Sequence, residues 1–278
     1  MTHSLLRPDP ALLGAEWKAL VEAEYAQTER LREWQESDYY RPLAGHFVDD
    51  PRRPGDALLN RLRSFCGPDV TWLDVGAGGG RNALPLALLS KQVTAIEPSA
   101  AMREALAASA IQHGVENVEI IDLRWPNGSE QIEVDFSLMS HVGYDIREIN
   151  PFIDGLERAT RRRCFASLMD RAPSSGFERL WPAVHGEERV VLPAMREFIH
   201  LLLARGATPD VRIYPRDVEP FTADQIRSFA RRRLWLVEGS VKDQFLQRIV
   251  DDELARVPGD LQQPRIVSLI SWEPGRPQ

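Results

Sequence analysis

The run Val70-Thr71-Trp72-Leu73-Asp74-Val75-Gly76-Ala77-Gly78-Gly79-Gly80-Arg81-Asn82 constrains the fold of this chain more than any other. Its first half is short, apolar and partly β-branched, the pattern of a buried strand. Glycines at 76, 78 and 80 then remove the Cβ atoms that would keep a ligand away from the backbone. The helical segment that follows presents free N–H groups and a positive dipole end. A strand, a glycine turn and a helix in this order suit a nucleoside cofactor bound at the carboxyl edge of a parallel sheet.

From Val70 onward, short apolar runs alternate with helical segments, which is the rhythm of parallel strands joined by crossover helices. The expected strands are Val70 to Val75, Gln92 to Ile96, Val118 to Asp122, Val134 to Ser140, Arg163 to Met169, Val211 to Tyr214 and Ile266 to Trp272. Helices are expected over Arg81 to Leu89, Ser99 to Gln112 with Gly114 as its stop, Ala194 to Ala204, Thr222 to Arg232 and Asp243 to Val257. The expectation is an α/β fold with a doubly wound, mostly parallel seven-stranded sheet. Residues 1–56 read as an N-terminal helical extension and 57–278 as the cofactor domain, with an insertion at about 171–210 after the fifth strand. Residues 11 to 47 read as an amphipathic helical segment, and Arg171 to Pro193 as loop.

With 278 residues, 43% of them hydrophobic, the chain can bury one large core. A formal net charge of −7 argues against nucleic acid or an anionic membrane as the partner, since both require clustered Lys and Arg. No stretch reaches the length of a membrane span, and Arg7, Pro8, Asp9 and Pro10 interrupt any signal-peptide core, so a cytoplasmic location is expected. Cys66 and Cys164 show no metal or disulfide spacing and read as buried small hydrophobes. The histidines likewise show no ligand spacing, so no metal is expected. Nothing in the pattern chooses between a monomer and a homodimer.

Glycine spacing alone leaves the cofactor open. Counted from Gly76, the dinucleotide pattern fails at Arg81; counted from Gly78, Gly80 and Ala83 complete an allowed GxGxxA variant. The acids are more telling: Asp74 lies two residues before the first glycine, and Glu97 ends the second strand. The segments Leu73 to Gly80 and Val93-Thr94-Ala95-Ile96-Glu97-Pro98-Ser99 together resemble the first two motifs of class I S-adenosylmethionine-dependent methyltransferases. The resemblance implies S-adenosylmethionine as cofactor, with Asp74 facing the methionine ammonium, Glu97 the ribose hydroxyls, and Gly76, Ala77, Gly78 and Pro98 lining the site.

It continues through Asn117 to Pro126, although the family's Gly-Asp-Ala pattern is replaced. Asp122 falls early, so Leu123 and Arg124 are expected to contribute backbone or apolar contacts, and Trp125 either stacks near adenine or packs its loop. It ends in Val134 to Tyr144, where Ser140 flanks the cofactor. An NAD(P)-dependent oxidoreductase and a non-catalytic binding protein are the rival readings.

An activated methyl group needs an in-line nucleophile and a dry pocket, and a general base only where the acceptor must lose a proton. His141 is the expected base and Tyr144 the expected orienting or lining residue, with His185 a weaker candidate. The acceptor is expected to be a small molecule of unresolved O, N or C nucleophile. The aromatics Tyr39, Tyr40, Phe47, Trp181 and Tyr214 are expected to help cover the site. The triplets Arg161–Arg163 and Arg231–Arg233 read as solvated helix ends, whereas Arg52 and Arg53 are candidates for contacting an acidic substrate.

Overall fold

A computed structural model describes residues 8–35, 38–39, 41–215, 222–256 and 266–275. Seven strands form one sheet: β1 (Thr71–Val75), β2 (Gln92–Ile96), β3 (Val118–Ile121), β4 (Val134–Ser140), β5 (Thr160–Met169), β6 (Asp210–Pro215) and β7 (Ile266–Trp272). Their order is β3-β2-β1-β4-β5-β7-β6. The first five run parallel, and β7 lies antiparallel between β5 and β6. The sheet expectation therefore holds in strand number and direction. All carboxyl ends of β1, β2 and β4 share one edge, with Asp74 in register with Ala95 and Leu138.

The helices are α1 (Pro10–Leu31), α2 (Ala57–Arg63), α3 (Ala83–Ala87), α4 (Ala100–His113), α5 (Ile149–Ala159), α6 (Trp181–His185), α7 (Met195–Ala204), α8 (Ala223–Arg233) and α9 (Val241–Arg256). Local chemistry sets several ends. The Ser99 hydroxyl accepts the Met102 N–H, and Gly114 closes α4 in the left-handed conformation at φ 65°. Asp9 and Asp56 cap α1 and α2, and Thr222 with Gln225 forms a reciprocal cap on α8.

Alternate side chains of the strands feed two cores, as the pleat requires. Leu73, Val75 and Met139 pack with Trp17 and Val21 of α1, Phe152 and Leu156 of α5, and Phe198 and Leu202 of α7. Trp72, Phe136 and Phe165 pack on the opposite face with α2, α3 and α4, their ring centroids 5.0 to 6.0 Å apart. A third, separate core joins Trp181 and Val184 of α6 to Ile226 and Ala230 of α8 and Leu246 and Val250 of α9.

This packing redraws two expectations. The helix expected through residue 47 ends at Leu31, and a 3₁₀ turn occupies Arg41–Phe47. Helix α1 packs against the sheet, tied down by the Trp17 Nε1 bond to the Ile146 carbonyl. Helix α7 likewise belongs to the sheet layer, whereas the appended structure is the α6–α8–α9 cap, which draws on both sides of β6. The stretch 171–193 is not all loop, since it contains α6. No helix among the described residues is long and apolar enough to cross a membrane.

Candidate active site

Strand ends β1 and β2 place two carboxylates side by side. Asp74 is 1% exposed, and neither of its oxygens has a hydrogen-bond partner. Burial, and next the charge of Glu97, push its pKa up to about 7; the Ala83 N–H opposes this without meeting hydrogen-bond geometry. Glu97 is also buried, but it is held: Oε1 accepts the Ser99 N–H at 2.9 Å and Oε2 the Gly78 N–H at 2.8 Å. Burial raises its pKa as well, with these two N–H groups and Arg103 pulling the other way. Each Glu97 oxygen keeps a second acceptor site.

Between the acids runs the glycine turn, with φ of 73°, 55° and 88° at Gly76, Gly78 and Gly80. The Gly76 and Ala77 N–H groups bond the Ile96 carbonyl, closing the turn on β2. A Cβ at Gly76 would meet Val142 Cγ2 at 2.4 Å, whereas one at Gly78 would meet nothing within 4 Å. Gly78 is therefore the point where a ligand can reach the backbone, and Gly76 the point where the β4 exit loop packs onto it.

That exit loop begins at His141, an exposed residue in the left-handed region at φ 56°, whose N–H bonds the Ser167 carbonyl on β5. Tyr144 is buried, and its hydroxyl accepts the Met169 N–H at 2.8 Å. The structure thus brings His141 and the partly exposed Ser140 to the site's edge while assigning Tyr144 to anchoring the loop. Leu123 is half-buried against the sheet core and Arg124 is exposed, beside the β3 end. Trp125 departs from the adenine-stacking alternative: its indole is buried against Phe152, and Nε1 donates to the Phe152 carbonyl at 3.1 Å. Exposed Pro98 stands between Glu97 and the α4 cap. His185 belongs to the cap, its ring tilted against Trp181 with Nε2 at 3.0 Å from the Leu234 carbonyl, and burial lowers its pKa.

The sequence reading missed a strap over this site. Asp38 accepts the Ser99 hydroxyl at 2.9 Å and, at 3.4 Å, the Ala101 N–H, adding a second acid to the start of α4. The Phe47 carbonyl packs so closely on Gly79 that an added Cβ would lie 2.8 Å from its oxygen. Of the aromatics expected to cover the site, Tyr39 and Phe47 lie on this strap, Trp181 is inside the cap core, Tyr214 packs on the sheet, and Tyr40 falls outside the described residues. Arg103 was also missed. It bonds the Glu97 carbonyl at 2.9 Å and pairs with Asp122 at 2.7 Å, locking the ends of β2 and β3 together. Among the described residues, no cluster of three metal-ligating side chains exists.

Residues 73–166 match the family model of a methyltransferase domain. Over these residues the chain carries a methyltransferase domain, built on the sheet of the class I, S-adenosylmethionine-dependent kind. This match resolves the cofactor question that glycine spacing left open. Three solved structures share the fold of this methyltransferase. The S-adenosylmethionine-dependent methyltransferase from Thiobacillus denitrificans, in complex with S-adenosylhomocysteine, is 14% identical with TM-score 0.53, covering 85% of this chain and 98% of its own. Its counterpart from Geobacter sulfurreducens, also with S-adenosylhomocysteine, is 14% identical with TM-score 0.53, covering 85% and 97%. The YcgJ protein from Bacillus subtilis is 15% identical with TM-score 0.52, covering 79% and 98%. No curated protein matches the chain.

The methyltransferase's own residues fit the donor. Asp74 is a buried carboxylate lacking a partner, the complement of an ammonium. Glu97 retains acceptor capacity for a vicinal diol, and the open side of Gly78 leaves room for a ligand against the backbone. S-adenosylmethionine supplies a methyl group already activated on positive sulfur. The protein's share of the work is to bind, orient and exclude water, and positioning of that kind contributes roughly 7–11 kcal/mol.

Proposed function

We propose that this methyltransferase acts on a small-molecule acceptor held between the strand ends and the α6–α8–α9 cap. The observation that carries the reading is the strap: Asp38 is latched to Ser99, and the Phe47 backbone rests on Gly79, so the cofactor loop is covered from the N-terminal side. The strap also joins the cap. Trp34 and Tyr39 stack on each other and both pack at a tilt against Trp235, whose carbonyl accepts the Glu33 N–H at 2.9 Å. A covered site of this kind favours a compact acceptor over a folded RNA or protein, and the net charge of −7 points the same way.

In this reading Asp74 receives the donor's ammonium and Glu97 its ribose hydroxyls, while Gly76, Ala77, Gly78, Pro98, Leu123, Arg124 and Ser140 line the cofactor. His141 takes a proton from acceptors that must lose one; Tyr144 and Trp125 hold the loops behind it. The experiment is label transfer from methyl-labelled S-adenosylmethionine into three pools: small metabolites, total RNA and total protein. Label is expected in the first pool alone, and label concentrated in RNA or protein would refute the small-molecule reading. A His141→Asn variant is expected to keep S-adenosylhomocysteine binding while losing turnover; unchanged turnover would remove His141 as the base.

A further inference from the structure

Asp74 and Glu97 occupy the carboxyl edge of the sheet, and a second cavity opens at the opposite, amino edge. Its volume is about 310 Å³. Its walls are Glu157 in the last turn of α5, Arg163 near the start of β5, the turn 205–208 leading from α7 into β6, and Glu273 and Gly275 just after β7. Strand pairing brings these elements together: Cys164 of β5 lies opposite Trp272 of β7, and Ser271 of β7 opposite Asp210 of β6. From Arg163 to Met169 β5 rises at about 3.3 Å per residue, roughly 20 Å in all, before it reaches the edge where His141 stands. The cavity is therefore separate from the cofactor site, and its volume falls at the lower end of the roughly 300–1,000 Å³ typical of small-molecule sites.

The walls carry both signs of charge. Arg205, with 15% of its side chain exposed, donates through Nη2 to Asp154 at 2.6 Å and Glu157 Oε2 at 3.0 Å, and through Nη1 to Asn150 at 3.1 Å. Its Nε is buried and has no partner among the described residues. Glu157 Oε1 accepts the Trp272 indole N–H at 2.9 Å, so this carboxylate is fixed from two sides. The second pair is looser. Arg163 donates through Nη2 to Glu273 Oε1 and through Nη1 to the Ser271 hydroxyl, both at 3.3 Å, long for charge-assisted bonds. Glu273 is 78% exposed, and an exposed pair at that distance exchanges readily for a ligand group.

From sequence, Arg163 belongs to a triplet read as a solvated helix end; in the fold that triplet is part of β5. The arginines expected from sequence to meet an acidic substrate are spent elsewhere, Arg53 on Asp49 and Asp56, and Arg52 on the His113 carbonyl.

Two guanidinium and two carboxylate charges cancel over the cavity walls, yet each sign keeps unused capacity. Donors remain on Arg205 Nε and Arg163, and acceptor sites on Glu157 and Glu273. An anion alone would meet two carboxylates, and a cation alone two guanidinium groups. A molecule bearing both charges pairs with each sign and leaves neither exposed to its like. The walls include no aromatic or large aliphatic side chain, which favours a small polar occupant.

We propose that this cavity is a second binding site, apart from methyl transfer, for a zwitterion of the α-amino acid class. The ligand carboxylate lies on Arg163 and Arg205 Nε, and its ammonium on Glu273 and Glu157. The site stands whatever acceptor the enzyme methylates.

The test uses the full chain saturated with S-adenosylhomocysteine, which fills the cofactor site, and reads thermal stabilisation by each standard L-α-amino acid in turn. Small polar members such as glycine and serine are expected to raise Tm, whereas their N-acetyl and carboxamide derivatives, each lacking one charge, are not. Arg163→Gln and Glu273→Gln are each expected to weaken the apparent affinity roughly tenfold or more, the loss of one charge-assisted bond. Gly275→Leu should block the cavity without removing a charge: its Cβ would lie 3.7 Å from Glu157 Oε2, on a backbone outside the left-handed region. All three variants should bind S-adenosylhomocysteine as the wild type does. Stabilisation by no amino acid, equal stabilisation by the singly charged derivatives, or equal stabilisation of wild type and variants overturns the proposal. If Arg163→Gln does not fold, Glu273→Gln at its exposed position carries the test. Glu97→Ala, in the cofactor site, should keep the amino-acid response, and its loss there would assign the response to the cofactor site and overturn the proposal.

Discussion

Replacing Asp74 by Asn should stabilise the ligand-free protein at alkaline pH, although it removes a residue that the cofactor needs. The carboxylate is fully buried without a hydrogen-bond partner, and its pKa stands at about 7 rather than 3.8. A folded-state pKa above the unfolded one means that the native state binds the extra proton. Stability is therefore fullest below about pH 4, falls as pH rises between about 4 and 7, and is flat above that window. At 1.36 kcal/mol per pH unit, the rise from 3.8 to about 7 corresponds to about 4 kcal/mol at pH 8.

Asn carries no charge and escapes that penalty, losing part of the gain to its own unpaired amide. With an unfolding entropy of about 2.1 cal/mol/K per residue, a gain of 2–4 kcal/mol raises Tm by roughly 3–7 °C. Thermal melts of wild type and Asp74→Asn from pH 4 to 8 check this, because their difference isolates the titration of this one group. Equal Tm values at pH 8, or a difference that does not shrink toward pH 4, would refute the argument that Asp74 is strained by burial and relieved by its ligand.

The same carboxylate must ionise to receive an ammonium, so cofactor binding at pH 7 should release about half a proton and at pH 9 almost none. Calorimetry in buffers of different ionisation enthalpy measures this directly, and equal proton release at both pH values would contradict it. Gly76→Ala places a Cβ 2.4 Å from Val142 at φ 73° and should cost about 2–4 kcal/mol of stability, part of which Val142→Ala should restore. Gly78→Ala, at φ 55° but facing open space, should cost only about 1 kcal/mol in denaturant melts and act chiefly by weakening S-adenosylhomocysteine binding in calorimetry. Asp38→Ala unlatches the strap from Ser99, so S-adenosylhomocysteine should dissociate faster in stopped-flow exchange; an unchanged rate would free the strap of any gating role.

The cofactor half of this protein was legible in its sequence because the necessary chemistry is local. Glycines at 76, 78 and 80, an acid two residues before them and another ending the next strand are all set by neighbours within one strand–turn–helix unit. Strand spacing and the α4 caps were legible for the same reason: periodicity, Ser99 and Gly114 act over a few residues.

What tertiary structure alone decided was the use made of long-range contacts. Trp125 and Tyr144 read as site residues, yet each polar group is consumed by a partner 25 or more positions away. Asp38 reaches Ser99 across 61 positions, and nothing near Asp38 announces it. Arg189 reaches Glu24 of α1 across 165 positions, a pairing that exists only in the folded chain. The end of α1 at Leu31 was misjudged because packing partners distant in the chain determine where a helix stops contributing to a core. Local propensity writes the loop that holds a cofactor; which side chains remain uncompensated beside it depends on charges and surfaces that meet only in the folded chain.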